Sequence, residues 1–202
     1  STKWGGIYHK TNSELTNLQA SYWKIFNSTN TLYPGTFPAI RKFEAELIQM
    51  VCSMVYGNCG LLSSGGTESI LLAVLAYRNF NLKVKGITKP NIISGHTAHP
   101  AIVKACAYFN VELRKVHVEK NGRMSLRNVK KYIDSNTICV YTSAPTFPHG
   151  VVDNIKEISD YTYKMKIGCH VDNCLGGFLL SYLKKLGNSN LPPFDFQDCK
   201  GV

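Results

Sequence analysis

The chain has 202 residues, 44% of them hydrophobic and 18% charged. That suits one domain, or one large domain with an appendage, and excludes a disordered chain. The net charge of +10 comes from 23 Lys and Arg against 13 Asp and Glu. Those cations are scattered, with no aromatic-basic pattern, so the charge does not indicate nucleic acid and instead suits anionic, phosphorylated or membrane-borne substrates.

Residues 1–38 read as an irregular arm. Trp4-Gly5-Gly6-Ile7-Tyr8 is a glycine turn carrying aromatics. Leu15, Leu18, Tyr22, Ile25 and Phe26 then fall at helical spacing. A Pro/Gly loop covers Asn30 to Pro38, and a helix is predicted from Ala39 to Tyr56, ended by Gly57-Asn58-Cys59-Gly60.

Ser64-Gly65-Gly66-Thr67-Glu68-Ser69 opens a second apolar helix, predicted over 67–81. Free N–H groups of a first turn, backed by the helix dipole, form an anion site, and glycine lets the backbone come close to the anion. The same residues also suit an ordinary glycine turn before a buried helix. From here strands and helices alternate. Strands are predicted near Ile92–Ser94, over Val111–Val118, over Thr137–Ser143 and over Ile167–Val171. Helices are predicted over His99–Phe109, over Ser125–Asp134 with Ser125 as cap, and over Asp153–Lys164 with Asp153 as N-cap. The pattern implies an α/β fold with a mostly parallel sheet and helices on both faces.

Ligands of such sheets bind outside the carboxyl ends of the strands. Those ends carry Gly95-His96-Thr97-Ala98-His99, Ser143 followed by Ala144-Pro145-Thr146-Phe147-Pro148-His149-Gly150, and Asp172-Asn173-Cys174. Asp172 suits either a cap or ion pair, or the counter-ion of a protonated ring nitrogen. His99 suits either a solvent-facing first-turn residue or a ring stacked on a flat cofactor. A phosphate on a helix N-terminus, a stacked ring and an acid facing a ring nitrogen together describe pyridoxal phosphate. Seven cysteines occur without a Cys-x-x-Cys pair, mostly within apolar stretches, which reads as reduced buried thiols. No metal ligands are assigned.

Several stretches resemble, in collinear order, the sphingosine-1-phosphate lyase family of pyridoxal-phosphate enzymes, a relative of the group II decarboxylases. They are Gly6-Ile7-Tyr8, Phe37-Pro38 through Glu46, Ser64 to Leu71 with Ala76-Tyr77-Arg78, Phe147-Pro148-His149-Gly150-Val151-Val152-Asp153, His170 to Phe178, and Pro193-Phe194-Asp195-Phe196. The resemblance implies a fold-type-I pyridoxal-phosphate transferase large domain, incomplete here, over 39–202, with 1–38 as an N-terminal arm and substrate and dimer loop. It implies pyridoxal 5'-phosphate held by Gly66, Thr67, His99, Asp172 and Ser143. Tyr8, Asn30 and Tyr33 would approach the substrate.

The implied partner is a second copy, in a homodimer with sites at the interface. The implied reaction is retro-aldol cleavage of a phosphorylated sphingoid base to a long-chain aldehyde and phosphoethanolamine. The resemblance places the family's Schiff-base lysine in an Asp-Thr-His-Lys stretch beyond Val202, so the chain is expected to be a fragment, inactive alone. Tyr33 stands where the family usually has His, Gly35 where it has an acid, and Asn173 where a small apolar residue is common. An amino-acid decarboxylase and a catalytically silent relative are the alternatives. The implied location is the cytosolic face of the endoplasmic reticulum membrane in a eukaryote, through an anchor outside this chain, or the cytoplasm in a bacterium.

Overall fold

The computed structural model describes residues 12–174, 176–188 and 190–202. The chain forms two compact units, Ser1–Met50 and Val51–Val202.

The first unit contains helix α1 (Ser13–Phe26) and most of α2 (Pro38–Val55). Asn12 caps α1, its side-chain oxygen accepting the Glu14 and Leu15 N–H groups at 2.9 and 3.2 Å. Pro38 opens α2, where its missing N–H costs nothing. The Phe26 and Phe43 rings meet edge to face at 5.7 Å. Neither helix has a buried residue.

In the second unit, α3 (Gly66–Lys85), β1 (Asn91–Gly95), α4 (Ala101–Tyr108), β2 (Glu112–Val116), α5 (Leu126–Lys130), β3 (Thr137–Ser143), α6 (Ile155–Lys164), β4 (Gly168–Asp172) and α7 (Gly176–Lys185) follow in order. The four strands are parallel, in the order β2-β1-β3-β4. Ile92, Cys139 and Tyr141 pack under Ile70 and Val74 of α3 and Ile102 and Ala105 of α4. Ile93, Val140 and Cys169 pack on the opposite face with Val129 of α5 and Ile158 of α6. Both faces are therefore covered, as the apolar runs of β1 and β3 require. A third cluster joins Ala144, Ile155, Leu180 and Phe194.

Four sequence expectations are corrected in detail. Helix α3 runs four residues past Asn81, because Asn81 turns inward to donate to Tyr77 O and Gly86 supplies the left-handed stop at φ 67°. His99 lies outside α4. It precedes the helix, and its Nδ1 accepts the Ala101 N–H at 3.1 Å. Ser125 does cap α5, but the helix ends at Lys130, and Asp134 bonds instead to Asn91, Arg114 and the Asn136 N–H. Asp153 is not the N-cap of α6. Asn154 holds that position without a side-chain bond, and Asp153 is buried with its carboxylate turned into the strand ends.

Candidate functional site

The order β2-β1-β3-β4 puts a topological switch point between β1 and β3. The chain leaves β1 toward β2 on one side and returns as β3 on the other, which opens a crevice at their carboxyl ends. The segments after β1, β3 and β4 meet this rim.

Strand register builds the acidic end of the site. Cys139 pairs with Gly168, Tyr141 with His170 and Ser143 with Asp172, and alternate residues share a face. Cys139 and Tyr141 lie on the face covered by α3, so Asp172 sits on that face too. Its Oδ2 accepts the Tyr141 hydroxyl and its Oδ1 accepts the Cys174 N–H at 3.3 Å. The Tyr141 ring stacks on His170 at 5.1 Å and 18°. Burial, with the Asp172 charge beside it, pushes the Tyr141 hydroxyl well above its usual range, so it stays a proton donor. Burial holds His170 down, against the opposing pull of Asp172. The result is a carboxylate fixed by two donors on the crevice face.

The glycine turn builds the other end. Ser69 is the first residue of α3 to donate back, to Gly65 O at 3.0 Å, so the N–H groups of Gly66, Thr67 and Glu68 precede the helical ladder. Gly65 has no side chain to cap them. Glu68 folds back to accept the Ser64 N–H, and that bond holds its carboxyl below the usual range. Gly66 and Thr67 are exposed. A Cβ built on Gly66 would stand 3.4 Å from Cys174 Sγ, so the turn abuts the loop that begins at Asp172. An uncapped helix N-terminus and a fixed carboxylate are thus neighbours on one face.

His99 lies at the rim after β1, half-buried, with its ring edge-on to Phe147 at 5.1 Å and 77°. Ser143 pairs with Asp172 and is buried, its N–H donated to Asp153 Oδ2 at 2.9 Å. Asn30 and Tyr33 belong to the first unit and share one turn. Asn30 Oδ1 accepts the Leu32 N–H at 3.0 Å, and Tyr33 is exposed. Tyr8 lies outside the described residues. Sequence reasoning missed Tyr141 and the clamp role of Asp153, and named Phe147 without giving it a role. The signal for Tyr141 was available, since it stands two residues before Ser143 as His170 stands two before Asp172.

The residues present fit a phosphate-bearing ring with a protonated nitrogen. The cup offers backbone donors to an anion, and the carboxylate is free of any lysine or arginine partner among the ion pairs of the described residues. Lys184 is committed elsewhere, to Asp195 and Asp198 at 2.7 Å each. A separate apolar hollow of about 210 Å³, lined by Val51, Met54, Val171, Phe194 and Phe196, does not include the glycine turn or Asp172.

The family described as the pyridoxal-dependent decarboxylase conserved domain matches residues 8–186. The chain is 43% identical over 99% of its length to sphingosine-1-phosphate lyase 1 of Rattus norvegicus, covering 35% of that protein. The structure of sphingosine-1-phosphate lyase from Burkholderia pseudomallei superposes with a TM-score of 0.90 at 31% identity, over 95% of this chain and 46% of that one. Glutamate decarboxylase of Lactobacillus brevis shares the fold, with a TM-score of 0.78 at 18% identity, over 96% of this chain and 46% of that one. The chain spans about a third of the length of the curated relatives it matches. The chain belongs to the pyridoxal-dependent decarboxylase family.

Proposed function

We propose that this chain is the cofactor-binding part of a carbon–carbon lyase that splits phosphorylated sphingoid bases into a long-chain aldehyde and phosphoethanolamine. The observation that carries the cofactor site is the Asp172 carboxylate, held by Tyr141 and Cys174 beside the uncapped turn at Gly66. The substrate class rests on the likeness to sphingosine-1-phosphate lyases over nearly the whole chain.

Pyridoxal 5'-phosphate, when bound, supplies an electron sink for the carbanion left by bond cleavage. This chain's own residues supply the setting. The N–H groups of Gly66 and Thr67 bind the phosphate. Asp172 keeps a proton on the ring nitrogen by offering it a negative partner, and Tyr141 keeps Asp172 in place. His99 covers the ring and excludes water from it. Ser143, next to Asp172 in the register, closes the floor. Asn30, Tyr33 and Tyr8 are proposed to meet the substrate.

We propose further that the protein acts as a homodimer. The exposed Leu18, Trp23, Ile25, Leu47 and Met50 of α1 and α2 are large apolar side chains of the kind a second copy would bury. Among the described residues no helix is long and apolar enough to cross a membrane. Membrane attachment at the endoplasmic reticulum, where it occurs, is proposed to come from an anchor outside these residues.

The test is to incubate the purified protein containing this chain with pyridoxal phosphate and sphingosine 1-phosphate. Release of phosphoethanolamine and a long-chain aldehyde is expected. Release of carbon dioxide from an amino acid instead would favour the decarboxylase reading, which the family description supports. Neither product, with cofactor bound, would mark a silent relative.

A further inference from the structure

His96 and His117 stand side by side at the carboxyl ends of neighbouring strands. Gly95 pairs with Val116 at the last rung of the β1–β2 ladder, and the chain carries the register one step further. The His96 N–H donates to Val116 O at 3.1 Å and fixes that step. Both side chains are exposed, and their rings lie 4.7 Å apart, centroid to centroid, tilted by 32°. The two residues belong to different β–α units, so their spacing in sequence gives no ligand motif. Only the sheet brings them together.

The spacing is that of two ligands on one ion. A ring nitrogen about 2.0–2.1 Å from a metal puts its ring centroid about 3.2 Å away, so two such ligands at roughly a right angle have centroids about 4.5 Å apart. Neutral imidazole is a borderline donor that suits late first-row divalent ions. Among the described residues no third His, Cys, Asp or Glu joins a group of this kind, so water completes the coordination and the ion exchanges readily. Glu119, the nearest acid in sequence, accepts from Ser125 Oγ at 2.6 Å and Asn128 Nδ2 at 3.2 Å, both at Oε1.

We infer that His96 and His117 form an open, two-histidine site for a late first-row divalent ion such as Ni2+, Cu2+ or Zn2+ at the rim of the sheet. The inference does not depend on the function proposed above. Occupancy ties the end of β1 to the end of β2, three residues before His99.

Titration with Ni2+ alone, followed by calorimetry at about pH 7.5, tests it. Nickel is chosen because copper oxidises exposed thiols such as Cys59 and Cys174. One site is expected. His96→Asn and His117→Asn should each weaken it at least about tenfold, because the second ligand of a chelate binds at high effective concentration. His149→Asn, at an exposed single histidine, should leave it unchanged. Equal affinity in the two variants and the parent overturns the site. So does loss in only one of them, which would mean a single-histidine contact.

Discussion

Asp153 and Ser143 exchange two hydrogen bonds across the end of β3. The Ser143 N–H donates to Asp153 Oδ2 at 2.9 Å, and the Asp153 N–H returns to Ser143 O at 3.1 Å. The other carboxylate oxygen accepts the Met124 N–H at 2.8 Å. One buried side chain thus ties the strand that borders Asp172 to the loop before α5. Burial pushes the Asp153 carboxyl up to about 6, although bonds from Met124 and Ser143 and the nearby Arg123 pull it down. The folded chain then holds a proton that the unfolded chain releases between about pH 4 and pH 6, so this group lowers stability as pH rises through that window. The cost is of order 3 kcal/mol at neutral pH. Asp153→Asn cannot ionise, so its stability deficit against the natural chain should shrink between about pH 4 and pH 7 by up to about that amount. Urea unfolding at the two pH values checks this. A constant deficit would show that Asp153 titrates normally.

Tyr141→Phe removes the hydroxyl that holds Asp172 and keeps the ring on His170. Loss of one charge-assisted hydrogen bond is worth about 1.5–3 kcal/mol. Weakened binding of pyridoxal phosphate is expected, by roughly ten- to a hundredfold, without loss of fold. Asp172→Ala should weaken it further and abolish turnover. Quenching of protein fluorescence by the cofactor, with circular dichroism as the folding control, reads both variants.

Gly168 lies directly under Tyr77 of α3. A Cβ there would overlap the Tyr77 ring, and Tyr77 is held in place by packing against the core cluster and by its hydroxyl, which donates to Cys169 O at 3.3 Å. Gly168→Ala should cost about 1–3 kcal/mol or more by overpacking. In a Tyr77→Leu background the same change should cost much less. Thermal unfolding of the four chains gives the coupling between the two positions.

Lys184 reaches two carboxylates, Asp195 and Asp198, and Asp195 is fully buried. Burial draws the lysine down, but its hydrogen bonds to both acids win and hold it above the ordinary value. The lysine's share of the stabilisation is therefore present through neutral pH and is lost as the lysine deprotonates at high pH. Lys184→Met leaves Asp195 without its cation and should lower stability by about 3 kcal/mol, more than an exposed pair is worth. Asp195→Asn combined with Lys184→Met should recover part of the loss, measured as a melting temperature.

The alternation of strands and helices made the layers and the parallel sheet legible from sequence, because buried parallel strands read as apolar runs between turn residues. Ser143 and Asp172 were legible as strand ends for the same reason. Tyr141 was not singled out, since its importance comes from register with His170, and register is a property of two strands. Asp153 was misread because an acid before a helix is a good cap by local rules. Here two N–H groups distant in sequence outcompeted its own helix. His96 and His117 were noticed only singly or not at all, for the same reason as Tyr141.

The two edges of the sheet differ in how they resist pairing. β2 carries Glu112, Arg114 and Lys115, and charges of this kind keep other strands away. β4 reads Gly168-Cys169-His170-Val171-Asp172, and among the described residues it pairs only with β3. Its outer edge has one acid at the end and no lysine or arginine. Growth of the sheet, whether by an added strand of the same protein or by unwanted association at high concentration, is thus directed to β4, the strand that carries Asp172. Aggregation of this segment should therefore begin beside its candidate site.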